Sequence, residues 1–164
     1  MSGTRKSVVA EDEKRTDELV TALLTASRAL VAVATRSLAE HSESVTITQF
    51  RTLVVIGNQP DLSLNQLADQ LGVNPSTAMR MINRLLKAGL VSRRDNPDDR
   101  RENLLALTTA GREIVDTVTR RRRAEINRVV AVMSTTHRVE LIAALHAFAE
   151  AAGEPEARFI AMDW

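Results

Sequence analysis

Ser63-Leu-Asn-Gln66-Leu-Ala-Asp-Gln-Leu71-Gly72-Val-Asn74-Pro75-Ser-Thr-Ala-Met-Arg80-Met-Ile-Asn83-Arg84-Leu-Leu-Lys87-Ala-Gly89 carries the signals of two short helices and the turn between them. Ser63 with Gln66 three positions on is a capping box, in which two side chains satisfy backbone groups that a helix start leaves open. Leu64, Leu67, Ala68 and Leu71 then fall on one face. Gly72 stands where a left-handed residue ends a helix. Two residues later Asn74 is an N-cap and Pro75 takes the first helical position, the site that tolerates a missing N–H. This second helix reaches about Ala88 and stops at Gly89. Helices near 63–71 and 75–88 joined by a tight glycine turn form the helix-turn-helix pattern.

The chain on the amino-terminal side of these helices reads as helical. Residues 1–11 lack periodicity and caps and are expected to form a flexible tail. From Asp12 to about Glu40 there is neither proline nor glycine, and Leu19, Leu23, Ala26, Leu30, Val33, Ala34 and Leu38 recur at helical spacing. His41-Ser-Glu-Ser44 breaks that helix. Thr46 and Gln49 form a second capping box, opening a helix with Phe50, Leu53, Val54 and Ile56 that ends at Gly57-Asn58.

On the other side, Leu90-Val91 and Leu104-Leu105-Ala106-Leu107 are two short apolar runs flanking Asp95-Asn-Pro-Asp-Asp-Arg-Arg-Glu102. They predict a β-hairpin whose charged loop is longer than a connection requires. Thr108 caps a long helix with Ile114, Val115, Val118, Ile126, Val129, Val130 and Met133. A last helix after Ser134 carries Leu141, Ile142, Leu145, Phe148 and Ala152, and Gly153 and Pro155 end it. The fold expected is mainly α with a small β-hairpin wing.

Composition sets the limits. The 164 residues are 44% hydrophobic but only 2% aromatic, so the interior is aliphatic. No cysteine is present, which removes disulfides, thiolate metal sites and thiol redox sensing. The run Leu30 to Ala34 is too short to span a bilayer, and no apolar stretch backs the charges at the start, so a cytoplasmic protein without a membrane partner is expected. The formal net charge of +1 conceals a segregation. Residues 80–128 hold 13 basic and 7 acidic side chains, net +6, between segments of net −2 and −3. That pattern fits a nucleic-acid surface, and equally an Arg-rich helix solvating itself.

The helix 75–88 separates these readings. At about 100° per residue, Ala78, Met81, Ile82 and Leu85 cluster on one side, with Ser76, Arg80, Asn83, Arg84 and Lys87 toward the other. Arginine can bond a guanine edge bidentately, asparagine an adenine edge, and Ser or Thr near the helix start can reach phosphates. The candidate DNA contacts are Ser63, Ser76, Thr77, Arg80, Asn83, Arg84, Lys87 and Arg94, joined by Asp99, Arg100 and Arg101 of the hairpin loop. A guanidinium at that loop's tip can lie in a minor groove, and Asp99 is expected to pair with an arginine and fix the loop.

Taken in order, several pieces resemble the multiple antibiotic resistance regulator (MarR) family: Thr46-x-x-Gln49-Phe50-Arg51-x-Leu53, Leu62-Ser-Leu-Asn-Gln-Leu-Ala68, Leu71-Gly-Val-Asn-Pro-Ser-Thr77, Leu85-x-x-x-Gly89-Leu-Val91-x-Arg93, Asn96-Pro-Asp-Asp-Arg-Arg101 and Leu107-Thr-x-x-Gly111. The likeness covers about residues 12–152. It implies a winged helix-turn-helix within a symmetric homodimer whose terminal helices form the interface. Arg80 and Arg84 fall on the recognition helix, and Asp99 and Arg101 match the wing's aspartate-x-arginine motif. The resemblance also implies a transcriptional regulator, usually a repressor, often released from DNA by a small-molecule effector.

The organisation expected is therefore a tail at 1–11, a helical dimerisation region at 12–45 and 112–152, a DNA-binding domain at 46–111 and a carboxy-terminal tail at 153–164. Apolar stripes exceeding what so small a reader domain needs agree with a dimer, which would set two recognition helices about 34 Å apart over a pseudo-palindromic site. A low-specificity architectural DNA binder and a helical protein-interaction dimer are the alternatives. No cofactor or metal is expected: His41, His137 and His146 are scattered, and His146 with Glu150 reads as a surface pair. No phosphate-cradling loop or placed nucleophile suggests an enzyme. Arg120–Arg123 cover a full helical turn and read chiefly as a solvated face, and the tail with Phe159 and Trp164 is expected to pack on its own dimer.

Overall fold

The computed structural model describes residues 2–41, 45–59, 61–96 and 103–153. Helices dominate: α1 (Ser2–Leu38), α2 (Ile47–Asn58), α3 (Leu64–Leu71), α4 (Pro75–Lys87), α5 (Thr109–Ala131) and α6 (Thr135–Ala151). The strands are β1 (Leu62–Ser63), β2 (Val91–Asp95) and β3 (Asn103–Leu107). The chain divides into two compact units, residues 1–36 and 37–164.

The first unit is the body of α1. Its backbone is helical from Ser2, so residues 2–11, expected as a tail, continue the helix. Once a helix is nucleated, each added residue closes one hydrogen bond for one pair of dihedrals, so propagation needs no cap of its own. Leu19, Val20, Leu24, Leu30 and Val31 are exposed apolar residues along it. Glu11–Leu38 contains an 18-residue stretch of mean hydropathy 1.4, long and apolar enough by composition to cross a membrane. Counting only the run Leu30–Ala34 underestimates this stretch, because interspersed Ala, Thr and Ser carry no charge.

The second unit is built on its caps. Thr46 accepts from the Gln49 amide while Gln49 Oε1 accepts from Thr46 N, and Ser63 with Gln66 repeats the box. Asn74, Thr108 and Ser134 cap α4, α5 and α6. Gly72 (φ 66°) turns the chain from α3 toward α4 in the left-handed conformation that a Cβ would oppose. A short 3-10 turn, Ala39–His41, runs into the first residue of the segment expected to break the first helix; residues 42–44 of that segment lie outside the described residues.

The wing is a three-stranded antiparallel sheet in the order β1-β3-β2, not the two-stranded hairpin read from the sequence. Val91 pairs with Leu107 and Asp95 with Asn103 across the hairpin, while Leu62 pairs with Leu105 and Ser63 with Leu104. Two residues are too few to show alternation, which is why β1 is invisible locally. One aliphatic core unites these elements: Val45, Leu53, Ile56, Leu62, Leu67, Ile82, Leu85, Leu90, Val91, Leu105 and Val115 are buried together. Phe50 packs partly buried against that core. Burying a side chain such as Ile82 or Leu85 contributes about 1.5–3 kcal/mol, so the turn angle between α3 and α4 is set by packing.

Candidate nucleic-acid interface

Helix α4 is held by its inner face. Ala78, Ile82 and Leu85 are completely buried, and Met81 is half-buried with its Sδ 3.8 Å from the buried Thr52 hydroxyl. The opposite face is therefore directed to solvent: Ser76, Arg80, Asn83, Arg84 and Lys87 are all exposed, and Thr77 is half-buried. Arg84 and Lys87 have no ion-pair partner among the described residues, which leaves their charge available.

Several of these side chains are oriented by neighbours. Ser76 Oγ donates to Asn74 Oδ1 (2.8 Å), and the Thr77 amide donates to the same oxygen (2.9 Å). Arg80 donates to Thr77 Oγ1 at 3.1 Å, so its guanidinium lies back along the first turn of α4. Arg93, a β2 residue that the sequence reading did not single out as a contact, donates to Asn83 Oδ1 at 3.0 Å and approaches Met79 Sδ at 3.1 Å.

Ser63 is placed differently from the rest. It is 3% exposed, its hydroxyl caps the Gln66 amide and its own amide donates to Gln66, so its hydrogen-bonding groups are spent inside the domain. Arg94 is exposed but pairs with Asp61, which holds a left-handed backbone conformation (φ 65°) at the entrance to β1. No local signal marks that pair, whose members stand 33 residues apart. Asp99, Arg100 and Arg101, with the expected Asp99–arginine pairing, lie outside the described residues, as does the tail beyond Gly153.

The wing is fixed to the helices at its root. Thr108 Oγ1 donates to Gly89 O (2.7 Å) and Thr108 N to Leu90 O (3.1 Å), tying the end of β3 to the turn that leaves α4. Among the described residues no group of three or more His, Asp or Glu could hold a metal ion. Arg120–Arg123 follow the helix around, with Arg121 half-buried and the other three exposed.

An exposed basic helix seated on a helix-turn-helix, with a strand hairpin rooted beside it, defines a winged-helix DNA-binding fold. The chain belongs to the MarR family, whose model matches residues 45–103. Over 72 residues it is 33% identical to the HTH-type transcriptional regulator YhbI of Bacillus subtilis, a match covering 44% of this chain and 47% of that one. The chain spans about half the length of the curated relatives it matches. Among solved structures, RV1404 from Mycobacterium tuberculosis is 50% identical with a TM-score of 0.78, covering 87% of this chain and 97% of that chain. Streptococcus pneumoniae FabT, solved in complex with DNA, shares the fold with a TM-score of 0.72 at 24% identity, over 86% of this chain and 97% of its own. The family is one of transcriptional regulators, not enzymes.

Proposed function

We propose that this chain is a sequence-specific double-stranded DNA-binding regulator, acting as a homodimeric repressor on a pseudo-palindromic operator and released by a small-molecule effector. The observation that carries the reading is α4: a fully buried Ala78, Ile82 and Leu85 face backs an exposed Ser76, Arg80, Asn83, Arg84 and Lys87 face. In the major groove, Arg80 and Arg84 read guanine edges, and Ser76 and Thr77 at the helix start sit beside a phosphate. The wing loop's Arg100 and Arg101 would supply a minor-groove contact, with Asp99 pairing one arginine. Arg94 adds charge at the wing's base once its pair with Asp61 opens.

Dimerisation accounts for the apolar residues left uncovered in a single chain. Leu19, Leu24 and Val31 on α1, and Ile142, Leu145 and Phe148 on α6, are each at least 47% exposed. A second copy would cover both sets in an isologous interface. On this reading the apolar stretch of α1 is an interface helix of a cytoplasmic protein and does not enter a membrane. Residues 12–45 and 112–152 then serve dimerisation, 46–111 DNA reading, and the tail from 153 packs on the dimer.

Selection of bound duplexes from a random library, followed by titration of the winner at fixed salt, tests the reading. An inverted repeat with half-sites about one turn apart, bound about 10³-fold or more over scrambled DNA, is expected. Uniform enrichment would make it an architectural binder, and no retention by a stable dimer would make it an interaction protein.

A further inference from the structure

We propose that Arg93 on β2 is a positioning residue that decides which base Asn83 reads, by holding the Asn83 amide oxygen and leaving its NH2 group to face the groove. This deepens the DNA-reading role of α4 and rests on it. The Arg93 guanidinium donates to Asn83 Oδ1 at 3.0 Å and lies 3.1 Å from Met79 Sδ. Met79 and Asn83 stand one turn apart on α4, so the guanidinium bridges a full turn of that helix from the strand beside it. Its strand is itself pinned, with Arg93 opposite Leu105 in the β2–β3 ladder.

The chemistry fixes the orientation. A guanidinium has donors only, so the amide atom that faces it is the oxygen. A free asparagine reads adenine by accepting from N6 while donating to N7. In Asn83 the oxygen is turned toward a cation, and the planar amide then sends its nitrogen the other way. What Asn83 offers DNA is a pair of donors, which match the acceptor edges of guanine N7 and O6 or thymine O4. The adjacent positive charge also opposes an adenine N6–H approaching that oxygen. Arg94, next in sequence, differs because a carboxylate satisfies it, whereas the partners of Arg93 are the neutral Asn83 and Met79.

The test uses the full chain and two readouts. Bound duplexes are selected from a random library with wild type, Asn83→Ala and Arg93→Met, the last retaining an unbranched apolar stem without the donors. In parallel, the side-chain amide resonance of Asn83 is followed without DNA in wild type and Arg93→Met. Asn83→Ala is expected to relax one base-pair position per half-site, at which wild type prefers guanine or thymine. Arg93→Met is expected to move that position toward adenine by about fivefold or more, leave other positions unchanged, and shift the Asn83 amide resonance.

Adenine at that position in wild type, or no position relaxed by Asn83→Ala, would overturn the proposal. So would a loss of affinity in Arg93→Met that is uniform across sequences, since that marks a phosphate or purely structural role. An Asn83 resonance indifferent to Arg93→Met, with wild type still selecting an operator, would overturn it while the role of α4 stood. A resonance that responds while wild type selects no sequence would remove the DNA-reading role, and the base assignment with it.

Discussion

A side chain on Gly111 would run into the carbonyl oxygen of Leu90: the first turn of α5 lies directly against the backbone leading from α4 into β2. That carbonyl already accepts the Thr108 amide, so it cannot move aside without loosening the wing root. Gly111→Ala is therefore expected to destabilise the fold by about 1–3 kcal/mol, read as a lower urea midpoint with an unchanged slope.

Arg80 and Arg84 project from a helix held by the fully buried Ala78, Ile82 and Leu85, so truncating either leaves the core untouched. Arg84→Ala or Arg80→Ala should cost about 1–3 kcal/mol on the selected operator and relax one position of its sequence. Competition binding against single-base operator variants measures both. Wild-type affinity in both variants would remove them from the interface.

Arg101→Ala should behave otherwise. A wing guanidinium in the minor groove contributes mainly charge, so the loss should be similar across sequences, and the salt slope of binding should fall by about 1. Titrations at several salt concentrations distinguish this from the α4 variants.

Asp61 restrains Arg94 through an exposed ion pair, whose worth to stability is about 0–1 kcal/mol. Asp61→Asn keeps a residue that tolerates the left-handed backbone at φ 65° while freeing the guanidinium. Little change in melting temperature, tighter DNA binding and a salt slope steeper by about 1 are expected. Weaker binding would mean that Asp61 holds Arg94 in its working position.

Ile142 is 57% exposed on α6, where a buried residue would be expected in a self-sufficient helix. Ile142→Asp should shift the protein from dimer to monomer in sedimentation analysis, with operator affinity falling as the second half-site is lost. A dimer unaffected by the change would place the interface elsewhere.

The starts of α2 to α6 are legible because a cap is local chemistry, whereas α1 has no such mark and its start at Ser2 is not. Thr46–Gln49 and Ser63–Gln66 form their boxes within four residues, and Asn74, Thr108 and Ser134 cap by the same short reach. The buried and exposed faces of α4 followed from helical period alone. What escaped depends on pairing across the chain. β1 exists because Leu62 meets Leu105, and neither residue marks a strand by itself. Ser63 looked like a contact by residue type, yet pairing with Leu104 and capping α3 use it twice over. The partners Arg93–Asn83 and Arg94–Asp61 join residues 10 and 33 positions apart, and nothing in the side chains' identities chooses between the two neighbouring arginines.

Helix α6 buries none of its 17 residues within its own chain. A helix of that length is marginal in water when nothing packs on it. If a second copy supplies the missing cover, the persistence of α6 obeys mass action: its melting point rises with protomer concentration, and dilution loosens it before the winged helix is touched. The cellular abundance of such a regulator then sets more than the occupancy of its operator, because it also sets what fraction of the chains has a completed fold.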